Sequence, residues 1–161
     1  MRNALGQRGE AIFTVLMTEF HSASGPIFKP QFLGDKWQHI DFIVELVGAR
    51  SVIPYFFAQV KTTQTGYTKK LNRLKVKVSQ EQVSALALYP APTYIIGIDE
   101  IAEKGYVTSA NGEHLTSLSS LSTEFPINKP NREILWQEVN DFWNRYKQTC
   151  LISQFHDPDW R

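Results

Sequence analysis

The sequence predicts an α/β domain, a central mixed sheet flanked by helices, and three observations carry that expectation. Apolar residues recur at helical spacing near both ends of the chain, over about Ala4 to Phe20 and again over Asn131 to Tyr146. Between them lie short β-rich runs, of which Gln38 to Leu46, Pro54 to Lys61 and Thr93 to Ile98 are the clearest. A helix-like segment, Gln80 to Leu88, separates two of these runs, and a strand, helix, strand order implies a right-handed crossover with at least one parallel pair.

The elements follow in order. The first helix carries Ile12, Phe13, Val15, Leu16, Met17 and Phe20 on its apolar arc, with Glu10 at the margin of that arc. Ser22 to Pro26 stops it, and Ile27 to Leu33 reads as a strand leading to the turn Gly34-Asp35-Lys36. The next strand contains Asp41 and ends at Gly48-Ala49-Arg50-Ser51, and its successor contains Gln59 and Lys61 and runs into the polar loop Thr62 to Thr68. In Lys69 to Val78, Arg73, Lys75 and Lys77 alternate with Leu74, Val76 and Val78 in strand period, giving one wholly cationic face. That face is either a phosphate-tracking ridge or an edge strand whose lysines prevent aggregation.

Ser79 is the expected N-cap of the middle helix, and Pro90 and Pro92 end it. Thr93 to Ile98 reads as a fully buried strand and Gly105 to Thr108 as a shorter one. Residues 111–128 are rich in Ser and Thr and are expected to be irregular, covering a sheet edge. The last helix presents Ile134, Leu135, Val139, Phe142, Trp143 and Tyr146 as one stripe. With 161 residues, 42% of them hydrophobic, the chain suffices for one domain, its core at about 4–109 and its final helix at about 131–147.

The formal charge of +1 announces no partner, so any attraction to phosphate must come from local clustering. A single cysteine, Cys150, excludes an intramolecular disulfide, and the first residues lack the apolar core of a signal peptide, so the expectation is a cytoplasmic protein. No run approaches the length of a membrane span, and no membrane partner is expected. His156, Asp157 and Asp159 in the tail lack further ligands at metal spacing and read as a solvated terminus. No phosphate-binding glycine loop, cysteine-pair zinc site or nucleophile elbow occurs.

The polar groups inside the two central strands carry the chemistry. Gln59 and Lys61 alternate with Ala58 and Val60 and share one strand face. A lysine in so apolar a run needs a carboxylate or an anion nearby, and Asp41 on the preceding strand is the candidate. The alternative is an ordinary cross-strand pair on a solvated face, contributing only about 0.2–1 kcal/mol. For Glu10 the alternative is a solvated first-turn acid favoured by the helix dipole.

Asp41, a strand, a turn and then Gln59-Val60-Lys61, preceded by a helix bearing Gly6-Gln7-Arg8-Gly9-Glu10, resembles the PD-(D/E)XK nuclease superfamily. The form is the Q-x-K variant of Mrr-like restriction endonucleases, and the helix is similar to the G-x-x-G-E opening of domain of unknown function 4365. The resemblance covers roughly Leu5 to Ile98; Ile40 stands where the superfamily's name has Pro, and Gln59 replaces the usual acid, removing one negative charge. It implies a restriction-endonuclease-like fold and a Mg²⁺ (or Mn²⁺) held by Asp41, Glu10, the Gln59 side-chain carbonyl and the Val60 backbone carbonyl. Lys61 is then the group that orients or helps deprotonate the attacking water, and Gln82 an accessory residue. The implied activity is metal-dependent phosphodiester hydrolysis, with DNA as the substrate and Arg73, Lys75 and Lys77 as its nucleic-acid contacts. The competing reading is an inactive nuclease-like module that binds nucleic acid or a protein partner. Oligomeric state is left open, with a homodimer or larger assembly compatible.

Overall fold

The computed structural model of the chain describes residues 3–112, 116–147 and 153–160, so Cys150 lies outside the described residues. Three helices, α1 (Ala4–Met17), α2 (Gln80–Ala87) and α3 (Lys129–Tyr146), pack on one five-stranded mixed sheet. Its strands are β1 (Phe28–Phe32), β2 (Phe42–Leu46), β3 (Tyr55–Thr63), β4 (Thr93–Asp99) and β5 (Lys104–Ser109), and they lie side by side in chain order. The pairs β1–β2, β2–β3 and β4–β5 are antiparallel, while β3 and β4 are parallel across the α2 connection. The α/β class and the parallel pair are thus as the sequence predicts.

Each helix begins where its capping residue dictates. Asn3 accepts the Gly6 N–H at 2.7 Å to start α1, and Asn128 accepts the Asn131 N–H at 3.0 Å to start α3. Ser79 and Gln82 form a reciprocal capping box on α2.

Alternation along the strands sorts the core into two layers. Phe42, Val44, Phe56, Ala58, Ile96 and Ile98 face α1 and α3, meeting Phe13, Met17, Leu135 and Val139. Phe57, Ile95 and Tyr106 lie on the other face beneath α2 and the segment before it, through Leu74, Val76, Val83 and Leu86. At the edge of the first layer the buried Arg132 of α3 donates to the Glu19 carboxylate at 2.9 Å, tying α3 to the end of α1.

Several boundaries differ from the sequence expectation for physical reasons. The first helix stops at Met17, and Val15 and Phe20 are exposed, so its apolar arc is narrower than the residue types suggest. In α3, Leu135 and Val139 are buried while Ile134 and Tyr146 are exposed; only the inner part of the stripe meets the sheet. The Arg73 to Val78 segment keeps its alternation but is no strand of the sheet: it is extended chain with isolated pairings to Leu118 and Leu121. The Ser- and Thr-rich stretch covers the β5 edge as expected, since Val107 N–H bonds Phe125 O and Ile127 N–H bonds Gly105 O. Among the described residues no helix is long and apolar enough to cross a membrane.

Candidate functional site

The site is built where β2 leaves β3. The two strands are in register from Glu45 opposite Tyr55 to Phe42 opposite Ala58. One residue further the ladder slips: the Asp41 N–H also bonds Ala58 O, at 3.0 Å, and the Asp41 carboxylate accepts the Val60 N–H at 2.7 Å. His39, with φ of 67°, turns the chain just before this point. Asp41 therefore stands immediately outside β2 rather than within it, and its side chain substitutes for the missing strand as the partner of β3.

Val60 is followed at once by Lys61, so the carboxylate is fixed beside the lysine's own backbone. Lys61 is half-buried, and its ammonium is held below the usual lysine range, first by burial, which disfavours the charged form, with the Asp41 carboxylate acting in the opposite sense. Because the folded-state pKa lies below the unfolded one, the unfolded chain binds more protons in the interval between them. Lys61 therefore costs stability below that interval, and the cost disappears as pH rises toward 10.5. The stability difference between Lys61→Met and the parent should shrink over that range in chemical-denaturation curves. Asp41→Asn should push the Lys61 titration lower still, as read from its side-chain NMR shifts; an upward move would show that Asp41 does not act on it.

Gln59 shares the Lys61 face and is only 4% exposed. Its Oε1 is buried with no hydrogen-bond partner, in a protein where such a group costs about 1–3 kcal/mol. An amide oxygen in that position is available to a donor or a cation. Across the parallel pair Lys61 lies opposite Gly97, on which Leu74 and Leu121 rest; a Cβ there would stand 2.8 Å from a methyl carbon of each. The basic segment is thereby laid over the sheet one strand away from Lys61. Its buried residues, Leu74, Val76 and Val78, point inward, and Lys75 and Lys77 are exposed. Arg73 is engaged internally, with Nε donating to Ser120 Oγ and Nη2 to Ser120 O, both at 2.9 Å.

Glu10 comes from the opposite layer. Helix α1 crosses β3 with Gly9 against Thr62, so closely that a Cβ on Gly9 would collide with Thr62 Oγ1 and stand 2.7 Å from Thr62 Cβ. The crossing sets Glu10, half-buried, one residue from this point of closest approach and near the strand position after Lys61. Thr62 and Lys61 leave β3 on opposite faces. Glu10 and Gln59 therefore approach β3 from different sides of the sheet.

The oxygen donors of this region, Asp41, Gln59 Oε1, the Val60 carbonyl and Glu10, are of the hard type that Mg²⁺ and Mn²⁺ take. The fit rests on the unpartnered Gln59 oxygen: among the described residues no group of three or more His, Cys, Asp or Glu side chains is placed to hold a metal. The tail residues His156, Asp157 and Asp159 are exposed, as expected of a solvated terminus. Gln82 is occupied in the α2 capping box rather than directed at Lys61.

Two features were not legible in the sequence. Tyr67, in the loop after β3, donates to the buried Asp99 at 2.8 Å and meets the Tyr106 hydroxyl at 2.8 Å, which anchors that loop to the end of β4. Trp37, just past the turn Gly34-Asp35-Lys36, lies on Phe57, two residues along the same face from Gln59. The signal available in the sequence was a tryptophan directly after the turn Gly34-Asp35-Lys36. Comparison of the chain with protein-family models, with curated proteins and with solved structures finds no match.

Proposed function

We propose that the protein hydrolyses phosphodiester bonds with the aid of Mg²⁺ or Mn²⁺, and that its substrate is DNA. The observation that supports this reading best is the Asp41 carboxylate bonded to the N–H that precedes Lys61, a lysine whose proton affinity is lowered by burial. Asp41, Gln59, the Val60 carbonyl and Glu10 are the groups that would hold the ion. When bound, the ion supplies Lewis-acid polarisation of a phosphoryl oxygen and a more acidic water. Lys61 has the complementary task. Its lowered pKa eases removal of a proton from the attacking water, and in its charged form the same ammonium offsets negative charge developing on the phosphoryl oxygens.

The test is cleavage of single-stranded, duplex and branched DNA by the purified protein with Mg²⁺, Mn²⁺ or a chelator; cleavage that survives the chelator would overturn the reading. Binding to phosphates falls to Lys75 and Lys77, with Arg73 serving chiefly to hold the Ser120 loop. Replacing both lysines by glutamine should lower the logarithmic salt slope of duplex binding by about 0.9 for each phosphate no longer neutralised. An unchanged slope would leave them as protection of an exposed segment.

One observation favours a second reading, a module that binds nucleic acid or a protein partner without cutting. Gln59 stands where a carboxylate would add charge, and the described residues hold no cluster of three acidic or metal-binding side chains. A parent protein that binds DNA yet cuts it with neither Mg²⁺ nor Mn²⁺, together with binding that persists in Asp41→Ala, would establish it.

A further inference from the structure

Trp37 forms part of an aromatic plate on the face that carries Gln59 and Lys61. Its ring lies 5.4 Å from that of Phe57 and is stacked with Tyr89 at 6.5 Å and 19°, while Phe57 and Tyr89 meet edge to face at 5.2 Å. Phe57 and Tyr89 are buried or half-buried, yet Trp37 is 44% exposed. This open ring is braced by the two others and followed two residues on by the turn at His39. More than half of its surface is buried, against Phe57 and Tyr89, and the rest of the ring faces water. The Tyr89 hydroxyl donates to Gln38 O at 3.4 Å, which fastens the Trp37 loop to the end of α2.

The surroundings select the occupant. Lys36 adjoins Trp37 and is exposed, and Lys61 lies further along the same face. The cross-strand neighbours of Phe57 on this face, Ile43 and Thr93, are uncharged. An exposed ring with Lys36 next to it in the chain and Lys61 further along β3 suits a planar aromatic group joined to a phosphate chain, as in an unpaired nucleotide. Phe57 and Lys61 are four residues apart on β3, about 13 Å at strand rise. At about 3.4 Å per nucleotide along one strand, that distance spans no more than about four stacked nucleotides.

We infer that Trp37, backed by Tyr89 and Phe57, is a base-stacking platform, and that the strand entering the site is single-stranded, with an unpaired base on Trp37 and a phosphate at Lys61. This rests on the proposed phosphodiesterase site and names the form of its substrate. A continuous duplex keeps its bases stacked on one another and offers none to the plate, so the platform discriminates in favour of single strands, flaps and frayed ends.

The experiment is fluorescence anisotropy with a labelled oligothymidylate, an oligouridylate of equal length and a duplex, each with the parent, Trp37→Ala and Trp37→Phe. Metal is replaced by Ca²⁺ to suppress cleavage, and circular dichroism monitors folding. Loss of one stacked base, about 1–3 kcal/mol, should weaken single-strand binding by roughly 5- to 150-fold in Trp37→Ala. Trp37→Phe should retain most of it, and duplex binding should be unchanged. The two single-stranded arms decide between DNA and RNA as the strand held. Equal loss on all substrates, no loss on single strands, or no single-strand binding by the parent overturns the platform. A Trp37-dependent single-strand preference in a protein that cuts nothing with Mg²⁺ or Mn²⁺ upholds the platform and overturns the nuclease reading. Cleavage without that preference does the reverse.

Discussion

If the proposed nuclease reading holds, Lys61→Ala and Asp41→Ala should each cut DNA far more slowly than the parent, but by different routes. On the proposed mechanism Lys61 would act on charge that develops only in the transition state, so its loss should leave Mn²⁺ affinity and DNA affinity near the parent values. Single-turnover cleavage should fall by about 10²–10³-fold, the usual result of removing one well-placed electrostatic group. Asp41→Ala should lose metal affinity as well, because it removes the formally charged ligand nearest Lys61 and leaves the Val60 N–H unpaired. Calorimetric Mn²⁺ titration beside single-turnover kinetics separates the two. Cleavage at the parent rate by Lys61→Ala would end the assignment of Lys61 as a catalytic group.

The second large effect concerns the crossing of α1 over β3. Alanine is ordinarily the better helix residue, by up to about 1 kcal/mol over glycine, yet Gly9→Ala should destabilise the protein by about 2 kcal/mol. The new methyl group has no free space: Thr62 Oγ1 occupies its position, with Thr62 Cβ at 2.7 Å and Cγ2 at 2.8 Å. At about 2–4 °C per kcal/mol for a chain of this size, the melting temperature should drop by about 4–8 °C. Thr62→Ala in the same background should recover part of the loss, since the two residues touch and their effects cannot be additive. A Gly9→Ala protein as stable as the parent would mean that α1 tolerates a shift away from β3.

The scaffold was legible in the sequence because its signals are local. Asn3, Ser79 and Asn128 mark helix starts through bonds to residues three positions on. The alternation in Phe42 to Leu46 fixes which side of the strand is buried. That Asp41 lies close enough to act on Lys61 was legible for the same reason, since the two residues belong to one strand-turn-strand unit. What was not legible depends on distant parts of the chain meeting. Nothing in Arg73 to Val78 announces that Leu74 rests on Gly97, or that Arg73 is bound to Ser120. The exposure of Val15 and Ile134 follows from where neighbouring elements stop, which residue type does not encode. Trp37 escaped notice because a lone aromatic in a turn acquires meaning only once Phe57 and Tyr89 are beside it.

The strands of the sheet lie in the order of the chain, and all but one neighbouring pair is antiparallel. The ordering entropy of the topology is therefore unevenly distributed. Pairing β1 with β2, β2 with β3, and β4 with β5 closes only short connections. The β3–β4 pair alone must close the long segment 64–92, which contains α2 and the basic stretch. Loop-closure entropy grows only with the logarithm of loop length, so this one long closure adds little to the total while letting the chain drape Leu74 to Val78 across the sheet. The same logic makes the exposed turn Lys69 to Asn72 the natural place for length variation, because residues added there change a small entropic term and leave Leu74, Val76 and Val78 in their packing against the sheet.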